Sequence, residues 1–180
     1  ERIDVAAIGP GLGLSGKAEA RLDQLLASER RLVLDADALS LIAKRGVETL
    51  RALEITPILT PHHGEFMRLF GEGQGSKVER AREASVRSGA VMIYKGNDTV
   101  IAAPDGRAAI ARPAPPWLAS AGTGDVLTGI VAARYAAIGD PFAAACEAVW
   151  LHGVAARRAG PFLIADDLVG ALPGALAACL

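Results

Sequence analysis

The chain has 180 residues, a hydrophobic content of 51%, only 4% aromatic residues and a formal net charge of −1. This length suits a single domain, expected over residues 1–180, with a core of Ala, Val, Leu and Ile. The near-neutral charge argues against nucleic acid or an anionic membrane as a partner, and no run reaches the roughly 20 apolar residues of a membrane span.

The cysteines and the first residues bear on the cellular setting and on completeness. Cys146 and Cys179 are too few for a disulfide framework, so a reducing, cytoplasmic location is expected, with pairing of the two left open. Cys146 lies in an apolar stretch and is interpreted as a small buried residue. The chain begins with "ERIDVAAIG", without an initiator Met and directly in a strand pattern, so we expect it to be part of a longer protein.

Short apolar runs alternate along the chain with segments of helical periodicity. Strands are predicted at residues 3–9, 31–36, 55–60 and 90–96, followed by a hairpin within 98–111 that turns at residues 104–106. Helices are predicted at residues 16–28, 37–46, 66–70, 76–89, 125–138, 141–159 and 165–180. Pro173 is expected to bend or break the last helix. The alternation predicts an α/β fold with a mainly parallel sheet, flanked by helices on both faces.

The helix predicted at residues 76–89 is strongly charged, with Ser76 as its expected N-cap. Its basic residues are interleaved with Glu79 and Glu83, a pattern typical of a solvated face rather than a binding patch. These basic residues are Lys77, Arg80, Arg82 and Arg87.

Polar or glycine-rich clusters follow the first two strands, where a parallel sheet binds its ligands. Residues 9–13, "GPGLG", resemble a dinucleotide-binding glycine motif only superficially, because the third glycine is out of register. Asp35 and Asp37 follow the second strand. Asp37 is the favoured N-cap of the next helix, and Asp35 at the ligand edge is expected to be either paired or functional.

Clusters at the next two strand exits extend this pattern. His62, His63 and Glu65 offer hydrogen bonds and a contact to metal-bound water, although their spacing does not match a zinc site. The run Lys95-Gly96-Asn97-Asp98-Thr99 suits a phosphate, and a hairpin turn explains Gly96 and Asn97 equally well.

The stretch "ASAGTGDVLTGI" places a glycine turn directly before an apolar helix. Gly122 and Gly124 would let the amides of residues 123–126 converge on an anion, with Asp125 beside it as a catalyst. Ordinary capping explains the same residues, with Asp125 favoured by the helix dipole. The coincidence of five clusters at one edge favours a phosphate-handling site, and the Walker pattern is absent.

Six segments, in order, carry a resemblance to a known family: "AAIGPGLG", "VLDADAL", "LTPHHGEF", "YKGNDTVI", "ASAGTGDVLTGI" and "WLHGVAA". They resemble the ribokinase-like superfamily and, more closely, its NAD(P)H-hydrate dehydratase family. The "GTGD" segment alone indicates the superfamily, whereas the combination is much more specific. Members carry a further stretch before "GPGLG", so the resemblance implies a ribokinase-like α/β fold that lacks its N-terminal part. Missing strands would expose a sheet edge, which a homo-oligomer partner would cover.

The resemblance implies an enzyme that restores hydrated NADH or NADPH, a small-molecule substrate. In this family the hydrate hydroxyl is phosphorylated and phosphate is then eliminated, with ADP or ATP as phosphoryl donor and Mg²⁺ as metal. The choice between ADP and ATP, and between NADH-hydrate and NADPH-hydrate, stays open. An epimerase domain, fused upstream or separate, is the implied partner.

The resemblance also implies roles for individual residues. Asp125 would be the general base that contacts the substrate hydroxyl, and the amides of Gly122, Thr123 and Gly124 would hold the phosphoryl group. The nucleotide-phosphate loop would be Lys95, Gly96, Asn97, Asp98 and Thr99. Substrate would contact Gly11, Gly13 and His62, with Asp35 as a supporting acid and Glu65 orienting a magnesium-bound water. His152 matches a family position and is expected to be structural, and His63 replaces a common proline, which is expected to alter only loop stiffness.

Two other functions remain open on the residues. A small-molecule kinase of the same fold would share Asp125 and the anion-binding turn, but it would stop after phosphoryl transfer. The combination of "GPGLG", "DADAL" and "TPHHGE" favours the dehydratase over that kinase. A non-catalytic nucleotide-binding remnant is the third hypothesis. The intact Asp125 with both neighbouring glycines argues against it, whereas the expected loss of the N-terminal part argues for it.

Overall fold

The computed structural model describes residues 4–178, so the predicted strand start at Ile3 and the residue Cys179 lie outside the described residues. Six strands form one sheet in chain order. They are β1 (Val5–Ile8), β2 (Arg31–Leu34), β3 (Ile58–Leu59), β4 (Val91–Tyr94), β5 (Val100–Ala102) and β6 (Ala108–Ile110). Strands β1 to β4 pair in parallel, whereas β4–β5 and β5–β6 are antiparallel. The predicted mainly parallel sheet and its terminal hairpin are confirmed.

Seven α-helices accompany the described strands. They are α1 (Gly16–Leu26), α2 (Ala36–Arg45), α3 (His63–Phe70), α4 (Lys77–Ser88), α5 (Thr123–Ile138), α6 (Pro141–Ala159) and α7 (Ala165–Ala177). Short 3₁₀ helices, which were not predicted from the sequence, occupy Val47–Ala52 and Pro116–Ala119. Helices α3 and α5 begin earlier than predicted, because His62 and Gly122 serve as their N-caps.

Helix α7 continues through Pro173 to Ala177, so of the predicted bend or break at this proline the break is wrong, whereas the bend stays a prediction. A proline inside a helix removes one backbone hydrogen bond. Leu168 and Ala175, on either side of it, are completely buried against the neighbouring helices. This packing holds the helix together where its own hydrogen bonding is interrupted.

Helices cover both faces of the sheet, and strands such as β2 and β4 have apolar side chains on both of these faces. Leu32 and Leu34 of β2 pack with α1 to α4, whereas Val33 between them packs with α5 to α7. Val91 and Met92 divide in the same way on β4. Alternating apolar residues therefore build two cores, as expected for a sheet that is buried on both sides.

Cys146 and the helix lengths bear on two expectations from composition, a buried cysteine and the absence of a membrane span. Cys146 is a free thiol that is only half-buried on α6, and burial raises its pKa. Over residues 4–178, none of the helices has both the length and the apolar character that a membrane crossing requires.

Gly9 is the position where the backbones of two strand exits come closest. A Cβ at residue 9 would lie 1.7 Å from the carbonyl oxygen of Asp35. The φ angle of Gly9 is +138°, which L-residues rarely adopt. The close approach sets the position of Asp35 relative to the exit of β1, because the Asp35 amide also donates to the Ile8 carbonyl at 3.1 Å.

We expect Gly9→Ala to lower the free energy of unfolding by about 3 kcal/mol or more, because the added methyl group meets backbone that cannot retreat. Gly129→Ala is the matched control, since residue 129 lies within α5 with nothing within 4 Å of its Cβ position. That control is expected to be neutral or stabilising by up to about 1 kcal/mol. Urea unfolding of both variants measures the difference, and equal stabilities would contradict the steric argument.

Candidate active site

The exits of β2 and β4 are joined by a buried ion pair between Asp35 and Lys95. Lys95 Nζ donates to Asp35 Oδ1 at 3.0 Å, and Asp35 is only 2% exposed. The hydroxyl group of Thr128, from α5, donates to Asp35 Oδ2 at 2.6 Å. Glu65 Oε2 lies 4.0 Å from Lys95 Nζ. Residues from three predicted clusters therefore meet at the carboxyl edge of the sheet, together with Thr128, which the sequence reading did not single out.

The side chain of Asp37 holds the glycine-rich loop after β1 and does not cap helix α2. Asp35, not Asp37, occupies the N-cap position of α2, so the predicted capping role of Asp37 is wrong. The carboxylate of Asp37 instead accepts a hydrogen bond from the Gly13 amide at 2.8 Å. Asp35 makes no side-chain cap bond because its two oxygens are already engaged by Lys95 and Thr128. Gly11 and Gly13 have φ angles of +65° and +77°, which explains glycine at both positions.

His62 and Glu65 form a reciprocal cap at the start of α3. The His62 amide donates to Glu65 Oε2 at 2.8 Å, and the Glu65 amide donates to His62 Nδ1 at 3.2 Å. Glu65 is buried, whereas the His62 side chain is 60% exposed. The pair thus has a structural role that is sufficient to explain both residues. The exposed imidazole is still able to contact a ligand.

His63 is the first residue of α3, a position where proline is favoured. Its Nδ1 lies 2.7 Å from the Tyr94 hydroxyl, and the two rings are stacked with an interplanar angle of 7°. The expectation that His63 alters only loop stiffness is therefore wrong, because it contacts β4 directly. Burial raises the pKa of Tyr94, so its hydroxyl stays protonated.

The segment 95–99 forms a closed loop after β4. The Thr99 hydroxyl donates to the Gly96 carbonyl at 2.9 Å, and the Asn97 carbonyl accepts from the Ala114 amide at 3.1 Å. Asp98 is paired with Lys77 at 2.7 Å. Lys95 anchors the start of the loop, because its amide donates to the Pro61 carbonyl at 2.9 Å.

The basic face of α4 is only partly solvated, which corrects the expectation for this helix. Lys77 contacts the 95–99 loop, and Arg80 donates to the Gly71 carbonyl at 2.7 Å. Arg87 pairs with Glu48 at 2.6 Å. Ser76 is the N-cap as predicted. Charge alternation alone could not distinguish these tertiary contacts from solvated side chains.

The first turn of α5 contains fewer free amides than the sequence suggested. Gly122 is the N-cap with φ +81°. The Thr123 amide donates to the Ser120 carbonyl at 3.4 Å, and the Val126 amide to the Gly122 carbonyl at 3.2 Å. Within residues 4–178, the amides of Gly124 and Asp125 have no such acceptor. Of the four amides at residues 123–126, two are therefore free, and the Gly122 amide likewise has no backbone acceptor among residues 4–178.

Asp125 stands next to these two amides with an exposed side chain. Among the described residues, no hydrogen bond or ion pair engages its carboxylate. This sets it apart from Asp35, whose carboxylate is buried and fully engaged. An unengaged carboxylate at a helix N-terminus is able to accept a proton from a ligand.

His152 holds the same turn from the side of α6. Its Nε2 lies 2.9 Å from the Thr123 carbonyl oxygen, so the neutral ring donates this hydrogen bond. Burial, opposed by the hydrogen bond to Thr123 and assisted by the charge of Lys95, lowers the pKa of His152 to about 4. The expectation of a structural role is supported by this contact, which fixes α5 against α6.

A cleft of about 590 Å³ lies between these elements. Of the predicted site residues, seven line it: His62, Lys95, Gly96, Asn97, Thr99, Thr123 and Gly124. Seven others do not: Gly11, Gly13, Asp35, Glu65, Asp98, Gly122 and Asp125. Asp125 follows the cleft residue Gly124 directly, whereas Asp98 faces an adjoining cleft with Lys77. Over residues 4–178, no group of three His, Cys, Asp or Glu residues could hold a metal ion.

Comparisons with known proteins agree on one family. A family model described as NAD(P)H-hydrate dehydratase matches residues 1–165. The bifunctional NAD(P)H-hydrate repair enzyme of Gloeobacter violaceus is 42% identical over 158 residues, which are 86% of this chain and 30% of that protein.

Solved structures give the same result for the fold. The ADP/ATP-dependent NAD(P)H-hydrate dehydratase of Bacillus subtilis, co-crystallised with ATP/Mg²⁺, matches with a TM-score of 0.87 at 35% identity. The match covers 99% of this chain and 65% of the Bacillus chain. A ribokinase-like superfamily protein of Enterococcus faecalis has a TM-score of 0.84 at 25% identity, covering 97% of this chain and 63% of that one. The chain belongs to the NAD(P)H-hydrate dehydratase family, and its fold is ribokinase-like, as predicted. It spans 30% of the length of the Gloeobacter relative.

The buried His152 makes stability depend on pH. Its pKa is about 4 in the folded chain and about 6.5 when unfolded. The unfolded chain therefore binds more protons between these values, so the stabilisation is present above pH 6.5 and is lost as the pH falls. We expect wild type to lose about 3 kcal/mol from this group between pH 6.5 and 4, relative to His152→Gln. Urea unfolding across this range checks the difference, and parallel pH curves for the two proteins would contradict it.

Proposed function

We propose that this chain, as a member of the NAD(P)H-hydrate dehydratase family, converts hydrated NADH or NADPH back to the dihydronicotinamide with ADP or ATP as phosphoryl donor. The observation that carries the proposal is the turn at residues 122–126. There an unengaged carboxylate, Asp125, stands beside two free amides at the end of the cleft. A base next to an anion-binding group is what phosphoryl transfer to a hydroxyl requires.

The nucleotide phosphates would lie between α5 and the 95–99 loop. A Cβ at Gly124 would lie 3.6 Å from Lys95 Nζ, so the lysine ammonium and the free amides face one space. Lys95 gives one donor to Asp35 and keeps others for phosphate. We assign Asn97 and Thr99 to the same nucleotide side, and Gly11, Gly13 and His62 to the hydrate side.

Magnesium would be held chiefly by the phosphates and water, which is its usual coordination beside a nucleotide. The residues fit this arrangement, since Glu65 has a carboxylate oxygen, Oε1, whose contact with His62 Nε2 is long at 3.5 Å. We assign Glu65 to orienting a water of the ion. When bound, Mg²⁺ neutralises part of the phosphate charge.

The chemical sequence divides into two steps. Asp125 takes the proton of the hydrate hydroxyl, whose oxygen attacks the terminal phosphorus while the bond to the departing nucleotide breaks. The free amides of Gly124 and Asp125 stabilise the charge on the transferring phosphoryl group. Phosphate then leaves the ring carbon with the bonding electron pair, the adjacent carbon loses a proton, and the ring double bond is restored. We further infer a cytoplasmic setting and an epimerase domain, fused or separate, as partner.

A small-molecule kinase is the second candidate, because the same carboxylate and amides suffice for phosphoryl transfer without elimination. Absorbance of the dihydronicotinamide chromophore separates the two functions. We expect absorbance to recover when the chain is mixed with hydrated NADH, Mg²⁺ and either ADP or ATP. Nucleotide consumption without recovery would support the kinase. Absence of both reactions would contradict both functions.

Asp125→Asn is expected to lower kcat of this reaction by about 10²–10⁴-fold, because the amide keeps the shape of the carboxylate but cannot accept the proton. Asp166→Asn is the matched control, since Asp166 is also an exposed acid in the first turn of a helix and lies outside the cleft. The control is expected to keep wild-type kcat. Wild-type turnover by Asp125→Asn would refute the role of the base.

Gly124→Val is expected to raise KM for the nucleotide by about tenfold or more, because the branched side chain fills the space beside Lys95 Nζ. Steady-state kinetics with varied nucleotide measures the effect. Gly129→Val, at an exposed position five residues further along α5, controls for the loss of helix propensity. Equal KM values for the two variants would contradict a phosphate site at Gly124.

A further inference from the structure

Lys77, which lies outside the main cleft, hydrogen-bonds to the 95–99 loop through its side chain. Its Nζ donates to Asp98 Oδ1 at 2.7 Å and to the Asp98 carbonyl at 3.0 Å. The Lys95 carbonyl lies 3.5 Å from the same nitrogen. One ammonium group from α4 therefore bonds both ends of the turn, although residues 77 and 98 are 21 positions apart in sequence.

The ammonium is held in place from a second side. Lys77 Nζ lies 4.7 Å from the centre of the Tyr94 ring, a cation–π distance. That ring is stacked on Phe66 at 3.9 Å between centroids, so it is itself fixed in the core. The Lys77 side chain is only 21% exposed. A lysine that is so enclosed loses the rotamer freedom that weakens ordinary surface ion pairs.

Gly96 leaves space for this ammonium beside the loop. A Cβ at residue 96 would lie 2.5 Å from Lys77 Nζ. The backbone of Gly96 does not have a positive φ angle, so the turn conformation itself does not require glycine. A side chain at residue 96 would therefore displace the flexible end of Lys77 from its contacts with the loop.

We propose that Lys77 is a positioning residue that holds the 95–99 loop in its nucleotide-binding conformation. The inference rests on the proposed function for its nucleotide, and on the contacts above for the ordering of the loop. Lys77 does not line the main cleft, so it acts through Gly96, Asp98 and the Lys95 carbonyl rather than by contacting the nucleotide in that cleft. The hydrogen bond from Lys77 also lowers the pKa of Asp98, so the ion pair persists to more acidic pH than an unpaired carboxylate would allow.

Lys77→Met removes the charge at similar length, Lys77→Arg keeps the charge, and Lys44→Met is the control. Lys44 is 58% exposed and pairs with Glu19 at a distance of 3.9 Å. In the ligand-free protein, we expect Lys77→Met to speed hydrogen exchange of residues 95–99 by about tenfold, with a smaller change for Lys77→Arg. Lys44→Met is expected to leave this segment unchanged.

With substrates, Lys77→Met is expected to raise KM for the nucleotide by about tenfold while KM for the hydrate stays within about twofold, and Lys77→Arg is expected to recover most of the loss. Exchange of residues 95–99 equal to that of Lys44→Met would overturn the inference. A general loss of stability without a segment-specific change in exchange would also overturn it. If Lys77→Met does not fold, Asp98→Asn replaces it as the test, because Asp98 is exposed and its carboxylate is a partner of the Lys77 ammonium. The inference then requires that Asp98→Asn speeds hydrogen exchange of residues 95–99.

Nucleotide binding distinguishes a failure of the proposed dehydratase reaction from a failure of the inference about Lys77. If wild type restores no chromophore, calorimetry with Mg²⁺ and ADP or ATP decides whether the loop binds a nucleotide. Binding that Lys77→Met weakens and Lys77→Arg restores would support the inference without the dehydratase reaction. No nucleotide binding by wild type would overturn it.

Discussion

The ion pair between Asp35 and Lys95 links the exits of β2 and β4 across β3, the strand that separates them. Thr128 adds α5 to the same junction, and Gly9 brings the β1 exit against the Asp35 backbone. A buried carboxylate needs its partners, since removing one of them costs about 3–5 kcal/mol. The positions of the glycine loop, the 95–99 loop and the first turns of α5 therefore depend on one set of contacts.

This arrangement separates residues that build the site from residues that are free to react. Every buried side-chain nitrogen or oxygen in the described part of the chain has a hydrogen-bond partner. Asp35, Glu65 and His152 belong to that satisfied set. Asp35 joins the side chains of Lys95 and Thr128, whereas Glu65 and His152 each fix a backbone segment. Asp125 and the amides beside it belong to the other set. The contrast matters because a group that is already engaged must break a contact before it binds a ligand, whereas an unengaged group does not.

The sequence allowed the sheet, its direction and the edge that carries the site to be predicted, because apolar periodicity and the order of strands and helices determine them. It also brought Asp35, Lys95 and Asp125 into consideration, since each follows a strand or opens a helix. It did not reveal Lys77 or Thr128. Both lie within helices whose composition is fully explained by a charged face or an apolar core, and their partners are 21 and 93 positions away. Contacts of that kind depend on how the helices pack, which a local pattern does not encode.

Lys77 and Lys95 have different roles at the 95–99 loop. Lys95 has its side chain at the shared edge, where Asp35 compensates part of its charge and phosphate would complete its coordination. Lys77 contacts the loop beside Gly96 and Asp98, where the Asp98 carboxylate and the Tyr94 ring already satisfy it. One cation thus orders the loop, and the other faces the main cleft. Because ordering before binding lowers the entropy that a ligand must offset, a nucleotide would gain affinity from Lys77 without touching it.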